Sequence, residues 1–432
     1  MFVSDCLSVN EKGHLTIGGY DTVSLAQEFS TPLFVMDEEK IRKTCRMYQN
    51  SLNTYYQGRG MVLYASKAFS CKEMCRIIAE EGLGLDVVSG GELYTALQAG
   101  FPTERIHFHG NNKTEEELIF ALEHDVGHFV VDNLTELETL DRLAAGQNKT
   151  ANISLRIKPG IEAHTHEAVM TGQIDSKFGF ALETGEAMEA VNFATRFRHV
   201  NLKGMHNHIG SQIFDIEPFQ NAAKIMLEFM HQIRQEIGIV IEELNLGGGF
   251  GIKYVESDTP VPYGDYMKEI SQVVYDTCEK LKFPVPYILM EPGRSIVGEA
   301  GITLYRVGGI KEIPNIRTYV SVDGGMTDNP RYALYQSPYS VVVANKASQP
   351  AAKKVTIAGK CCESGDLIQE HTMIQEVEVG DTLAVLSTGA YHYSMASHYN
   401  RICKPAVVMI RDSEPRVIIK RETYADLIRN DL

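Results

Sequence analysis

Between residues 61 and 291 short apolar runs alternate with longer stretches whose apolar positions recur at helical spacing. The apolar runs lie at 61–65, 84–88, 105–108, 128–131, 153–157, 202–208, 243–247 and 287–291, and each reads as a buried strand. Helices are predicted between them over 71–82, 90–99, 114–124, 134–145, 184–197, 217–237 and 263–282. The segment 217–237 is the clearest. Phe219, Ala222, Ala223, Met226, Phe229, Met230, Ile233 and Ile237 follow the 3, 4, 7 spacing of one buried helical face. Eight strands alternating with helices over about 250 residues predict an α/β fold built as a TIM-like (β/α)8 barrel. A doubly wound sheet shares the alternation and competes with it. A further strand, 32–36, and a helix, 38–56, precede the first barrel strand, although a standard barrel opens on a strand.

After about residue 300 the texture changes. Beta-branched and aromatic runs at 303–307, 317–322, 339–344, 355–358, 381–386, 406–410 and 416–420 are punctuated by Gly, Pro and Asn, and predict a C-terminal all-β domain. Residues 421–432 read as a short helix, and residues 1–30 are mixed, with a turn at Gly18-Gly19.

Composition changes this picture little. With 432 residues, 44% hydrophobic and 22% charged, the chain can bury a sizeable core. A net charge of −15 argues against nucleic acid and anionic membrane surfaces as partners, but not against a local basic pocket. No stretch approaches the about 20 apolar residues of a membrane helix. The N-terminus lacks a basic region followed by an apolar core, so no secretory signal is expected. The eight cysteines are scattered, which suits reduced thiols in the cytoplasm better than a disulfide framework. Cys71 and Cys75 stand at i, i+4, but no second pair with metal spacing accompanies them.

The chemistry gathers at the C-terminal ends of the predicted strands, where barrels carry their reactive groups. Strand 61–65 delivers Lys67, whose amine can form a Schiff base with a carbonyl or simply be a solvated loop lysine. Asp86 ends the second strand. His206-Asn207-His208 ends the sixth, followed by Ser211. Gly247-Gly248-Gly249 follows the seventh; such a run lets backbone N–H groups approach an anion, or makes a plain turn. Glu291-Pro292-Gly293-Arg294 follows the eighth. A carboxylate buried at a strand end needs a partner, either Arg294 or a cationic ring nitrogen such as that of pyridoxal phosphate (PLP). His208 reads as a satisfied core histidine, a ring stacked on a cofactor, or with His206 a metal pair; no nearby Cys or carboxylate completes a metal site, and none is expected. His164 and His166 raise the same question in a Gly-punctuated loop running to Asp175-Ser176-Lys177-Phe178-Gly179. In the β domain, Arg331 with Tyr332 and Tyr335, Cys361-Cys362-Glu363 between glycines, Tyr391, and His398–Arg401 stand out. A thiol can donate a proton and a glutamate can bind an amine; two adjacent cysteines can also simply fill space.

Taken in order, these motifs resemble the fold-type III PLP-dependent decarboxylases over nearly the full length. The resemblance rests on Tyr64–Ala68, His109–Lys113, Asp175–Phe180, His208–Gln212, Gly247–Gly251, Glu291–Arg294, Asn329–Tyr335, Cys362–Asp366 and Gly389–Tyr391. It implies that Lys67 holds PLP, that Asp86 lies on the lysine side of the cofactor, and that His208 stacks on its ring. It further implies that Ser211, Gly247, Gly248, Gly249, Pro292, Gly293, Arg294 and Tyr391 line the cofactor site, chiefly at the phosphate, and that Glu291 pairs with the pyridinium. Arg294, Arg331, Tyr335 and Tyr391 would recognise the substrate's distal amino-acid end, with Glu363 taking its ammonium, and Cys362 would protonate the carbon left by departing carbon dioxide. The catalytic set is thus Lys67, Cys362, His208 and Glu291.

The resemblance also implies a homodimer with composite sites, Cys362 and Glu363 reaching into the neighbouring subunit. It places residues 36–300 in the barrel and joins 1–35 to 301–432 as a discontinuous β domain. The implied reaction is decarboxylation of meso-2,6-diaminopimelate at its D-centre, giving L-lysine. Asn207, Tyr332 and the loop 161–174 depart from the family pattern. Two alternatives stay open: a decarboxylase of D-ornithine, D-lysine or another basic amino acid, and a catalytically silent PLP-fold binding protein.

Overall fold

The computed structural model describes residues 2–161 and 176–432; His164, His166 and Asp175 lie outside the described residues. The chain divides into two compact units. One comprises Thr44–Gly251 and Pro260–Gly293; the other Met1–Lys43, Ile252–Thr259 and Arg294–Leu432.

The first unit is a closed barrel of eight parallel strands: β1 (Gly60–Ala65), β2 (Gly84–Val87), β3 (Ile106–Phe108), β4 (His128–Val131), β5 (Ala151–Lys158), β6 (Val200–His206), β7 (Glu243–Asn245) and β8 (Tyr287–Met290). Each pairs with the next in sequence, and β8 returns to pair with β1. That closure excludes the doubly wound alternative, whose sheet has two open edges. The predicted helices are observed as Lys72–Glu80, Gly90–Gln98, Glu115–Glu123, Leu134–Gly146, Glu186–Ala194, Glu217–Glu236 and Tyr263–Leu281. Several begin on side-chain caps that the sequence supplies. Ser89 accepts from Glu92 N–H, Asn133 from Glu136 N–H, and Thr114 forms a reciprocal capping box with Glu117.

The bore of the barrel is unusually polar. Barrel interiors are commonly layered with branched apolar side chains. Here the buried rings of His107 and His128 stack at 4.6 Å with planes 7° apart, and His128 Nε2 lies 2.8 Å from Ser154 Oγ. Gly204 leaves room for that layer, since a Cβ there would fall 2.5 Å from Ser154 Oγ.

In the second unit, the strand Leu33–Asp37 lies between Gly301–Ile313, antiparallel, and Ala406–Arg411, parallel. From there the sheet extends to Glu414–Ile419 on one side. On the other it runs through Arg317–Val322 and Lys353–Ala358 to Leu367–Ile374. The last strand was not expected. His371 there takes a left-handed φ of +51°, and the pairing with Lys353–Ala358 slips twice, so the alternation that marks a strand is broken. The mixed N-terminal stretch forms a small antiparallel sheet, Leu7–Val9, Leu15–Ile17 and Tyr20–Asp21, followed by the helix Thr22–Phe29. The predicted C-terminal helix is one turn, Tyr424–Leu427. Among the described residues no helix is long and apolar enough to cross a membrane.

Candidate active site

The barrel unit gathers one set of the expected residues at the C-terminal ends of its strands. The 3-10 turn Ser66–Ala68 follows β1 directly and leaves Lys67 exposed between two buried neighbours. Among the described residues Lys67 makes no hydrogen bond or salt bridge. Its amine is held at the rim without being consumed by packing.

After β7 the three glycines are required by close approach. A Cβ on Gly248 would meet the Glu291 carbonyl oxygen at 2.1 Å, and Gly247, at φ +66°, would meet the Asn207 carbonyl oxygen at 2.5 Å. Gly248 N–H donates to His208 Nδ1 at 3.3 Å, which fixes the imidazole's tautomer and plane. Burial, reinforced by the charges of Lys67 and Arg156, keeps the pKa of His208 well below its usual value, so the ring is neutral. Ile213 N–H donates to the Gly249 carbonyl and Gly251 N–H to the Ile213 carbonyl, so the segment carrying Ser211 lies alongside the glycine loop.

Glu291, directly after β8, is buried, and its polar partners come from across the bore. Asn245 Nδ2 donates to Oε1 at 2.6 Å. His206 Nε2 lies 3.1 Å from Oε2, and His109 Nε2 lies 2.9 Å from Oε1. Burial alone would raise this carboxyl. His109 and His206 outweigh it and hold Glu291 well below the usual carboxylate range. His109, His206 and Glu291 lie within 4.8 Å of one another, a spacing that would accept a metal ion. No carboxylate was expected beside His206 from the sequence; barrel closure brings Glu291 there, where it also accepts from Asn245 Nδ2. His206 and His208 go to different partners and do not form the metal pair considered from sequence.

Asp86, in β2, is also buried. Burial raises its pKa to about 6, His109 opposing and Glu291 adding to the shift. The sign follows from linkage. A carboxyl raised from 3.8 to about 6 contributes stability that is fully present below about pH 4 and is lost as pH rises through about 6. The cofactor-free protein is therefore expected to lose about 3 kcal/mol at this group across that window. Asp86→Asn should flatten the corresponding part of a denaturant-midpoint profile measured from pH 4 to pH 7. An unchanged slope would show that Asp86 is not buried as a titrating acid.

The β unit gathers a second set. Arg294 opens the short helix Arg294–Val297 and is buried, donating to Tyr254 Oη at 2.5 Å, with its guanidinium 4.8 Å from the Tyr391 ring centre. Arg331 is buried too. Its Nε donates to Tyr339 Oη at 2.8 Å, and its guanidinium lies 5.3 Å from the Tyr335 ring and 5.6 Å from that of Tyr391. Among the described residues no carboxylate pairs with Arg331. A buried guanidinium lined by tyrosines and lacking a counter-ion suits an incoming carboxylate. Tyr332 points elsewhere, its hydroxyl donating to Glu370 at 2.8 Å.

Cys362 and Glu363 are exposed on their loop, while Cys361 is buried. The loop is pinned by the buried Asp366, which accepts from Cys361 N–H at 2.7 Å and Met326 N–H at 2.6 Å, and by Asn400 Oδ1, which accepts from Cys362 N–H at 2.8 Å. His109, Asn245, Tyr254 and Tyr339 were not singled out individually from the sequence. His109 was marked only by the His109–Lys113 motif, and Asn245 only by lying within the predicted strand 243–247; Tyr254 and Tyr339 carried no signal of a site.

Residues 38–298 match the family described as "Pyridoxal-dependent decarboxylase, pyridoxal binding domain". The barrel is accordingly a pyridoxal-binding one of the decarboxylase class. Over 432 residues the chain is 49% identical to a diaminopimelate decarboxylase of Bacillus subtilis (strain 168), covering 100% of this chain and 98% of that protein. It is 50% identical to one from Staphylococcus aureus (strain COL), covering 98% of each. The crystal structure of diaminopimelate decarboxylase from M. jannaschii in co-complex with L-lysine superposes with a TM-score of 0.92 at 37% identity, covering 100% of this chain and 99% of that one. The chain belongs to the diaminopimelate decarboxylase family.

The cofactor of that class fits the residues present. PLP carries an aldehyde, a phosphate and a ring nitrogen. The barrel rim offers a free amine, a loop whose glycines admit no Cβ, and a buried carboxylate held anionic.

Proposed function

We propose that the protein removes the carboxylate at the D-configured centre of meso-2,6-diaminopimelate, giving L-lysine and carbon dioxide. One observation carries the reading: the whole chain, β unit included, matches relatives of that name at 49% identity. PLP, held by Lys67, supplies a ring able to take up the electron pair left on the substrate carbon when carbon dioxide departs. With PLP bound, Glu291 would pair with its ring nitrogen and favour the protonated form, and His208 would stack on the ring as a neutral imidazole oriented by Gly248. Ser211, Gly247, Gly248, Gly249, Pro292, Gly293, Arg294 and Tyr391 hold the cofactor, with Asp86 on the lysine side.

Arg331, with Arg294, Tyr335 and Tyr391, receives the carboxylate at the far end of the substrate, and Glu363 takes the ammonium beside it. Cys362 Sγ–H then gives its proton to the carbon from which the carboxylate left. Because Cys362 and Glu363 are exposed on their own subunit's loop, we assign them to the site of a second copy, which makes the active form a homodimer. Residues 1–35 and 301–432 act together as the substrate-reading and dimer-forming domain. The acidic chain works in the cytoplasm and without nucleic acid or membrane partners.

Carbon dioxide release, measured with PLP present, should favour meso-diaminopimelate over D-lysine, D-ornithine, L-lysine and L-ornithine. Arg331→Ala should raise KM for meso-diaminopimelate by about tenfold to a hundredfold, since a charge-assisted contact is lost. Preference for D-lysine or D-ornithine in the wild type would overturn the substrate while keeping the class. No release from any of them would favour a silent relative.

A further inference from the structure

His109 stands where two buried carboxylates converge. Its Nε2 is 2.9 Å from Glu291 Oε1 and 3.7 Å from Asp86 Oδ1. The three side chains come from different parts of the barrel: Asp86 from β2, His109 from just past β3, and Glu291 from just past β8. All three are buried.

Neither contact is a well-formed hydrogen bond. His109 Nε2 and Asp86 Oδ1 both lack a partner of good geometry, although each has the other group within reach. Glu291 does not depend on His109 alone, because Asn245 serves the same oxygen and His206 the other. The imidazole is therefore shared and not committed. The His206 ring packs edge-on against it, with centroids 5.0 Å apart and planes at 70°, which limits how far the His109 ring can swing.

The backbone beneath is rigid. His109 N–H donates to the Val87 carbonyl at 2.8 Å. The buried Lys113 ties the same turn down, donating to the Gly110 carbonyl at 2.9 Å, the Val130 carbonyl at 2.7 Å and Glu136 Oε1 at 2.6 Å. Thr114 then caps the following helix. So much fixed structure under one imidazole is consistent with a position that must hold to a fraction of an ångström.

We propose that His109 is a positioning residue that couples the two carboxylates flanking the cofactor, holding Glu291 anionic toward the ring nitrogen while bridging to Asp86 on the lysine side. The inference rests on the reading that Glu291 pairs with the ring nitrogen of PLP. Both carboxylates are buried, so removing a nearby imidazole shifts their proton affinity.

The test uses full-length holoenzyme loaded with PLP labelled with nitrogen-15 in the ring. The readouts are the ring nitrogen's chemical shift and the dissociation constant for PLP. In His109→Leu the shift should move toward that of a neutral pyridine, and PLP should bind about tenfold to a hundredfold more weakly. His109→Gln, which can still present an N–H, should restore most of both. If His109→Leu does not fold, His109→Asn, too short to reach Glu291, replaces it with the same expectation.

Glu291→Ala separates the two claims. A shift unmoved by Glu291→Ala would overturn the pairing of Glu291 with the ring nitrogen, and the coupling with it. A shift moved by Glu291→Ala but left at the wild-type value by His109→Leu or His109→Asn would overturn the positioning role alone.

Discussion

Lys67→Ala is expected to lower carbon dioxide release from meso-diaminopimelate by about 10⁴-fold or more, and to abolish the yellow absorbance of the protein with PLP. The expectation follows from placement. The β1 strand is apolar and buried through Ala65, and the turn after it puts the lysine at the rim with its amine unengaged. A packing lysine looks different in the same barrel: Lys113 is buried and has its three donors fully spent. Because Lys67 holds no local structure together, its removal should leave the melting temperature of the cofactor-free protein within a few degrees of wild type. A variant that stays yellow and active would overturn the assignment of Lys67. A variant that fails to fold would show instead that the lysine is structural.

Cys362→Ala should lower kcat by about 10²–10⁴-fold, the usual worth of a positioned proton donor, with little change in the affinity for PLP. Composite sites allow a sharper form of the experiment. Mixed dimers of Lys67→Ala and Cys362→Ala subunits contain one site in which the lysine of one chain meets the thiol of the other. Random mixing of the two inactive proteins, with exchange, should therefore recover up to about a quarter of wild-type activity. No recovery from dimers shown to have exchanged would mean that Cys362 serves its own subunit's site. Full activity of Cys362→Ala alone would pass the donor role to another group, with Cys361 the first to examine. Burial pushes the Cys361 thiol up to about 11, and it lies against Asp366.

The barrel was legible along the chain because each of its elements is local. An apolar run of four to eight residues makes a strand wherever both its faces are covered, and a 3, 4, 7 stripe makes a helix wherever one face is. The same locality explains why Lys67, Asp86, His208, the glycine run and Glu291 could be placed at strand ends from residue types alone. Elements whose signal is not periodic were lost. The strand Leu367–Ile374 is bulged around His371, and the N-terminal strands are two or three residues long, too short for alternation to register.

What only the tertiary structure decided is who partners whom. Glu291 could have been matched from sequence with the arginine three residues on. Closure of the barrel instead brings it hydrogen-bond partners from the ends of β6 and β7 and the His109 imidazole from just past β3, residues separated from it by scores of positions along the chain. Cys361 and Cys362 are indistinguishable as neighbours in sequence, and it is the Asp366 anchor beneath the loop that buries one and presents the other. The types of side chain and their strand ends are written in local periodicity. The ionisation of the buried carboxylates is written in contacts that exist only once β8 has met β1, because charge in a low-dielectric bore is set by the few groups within about 4 Å of it.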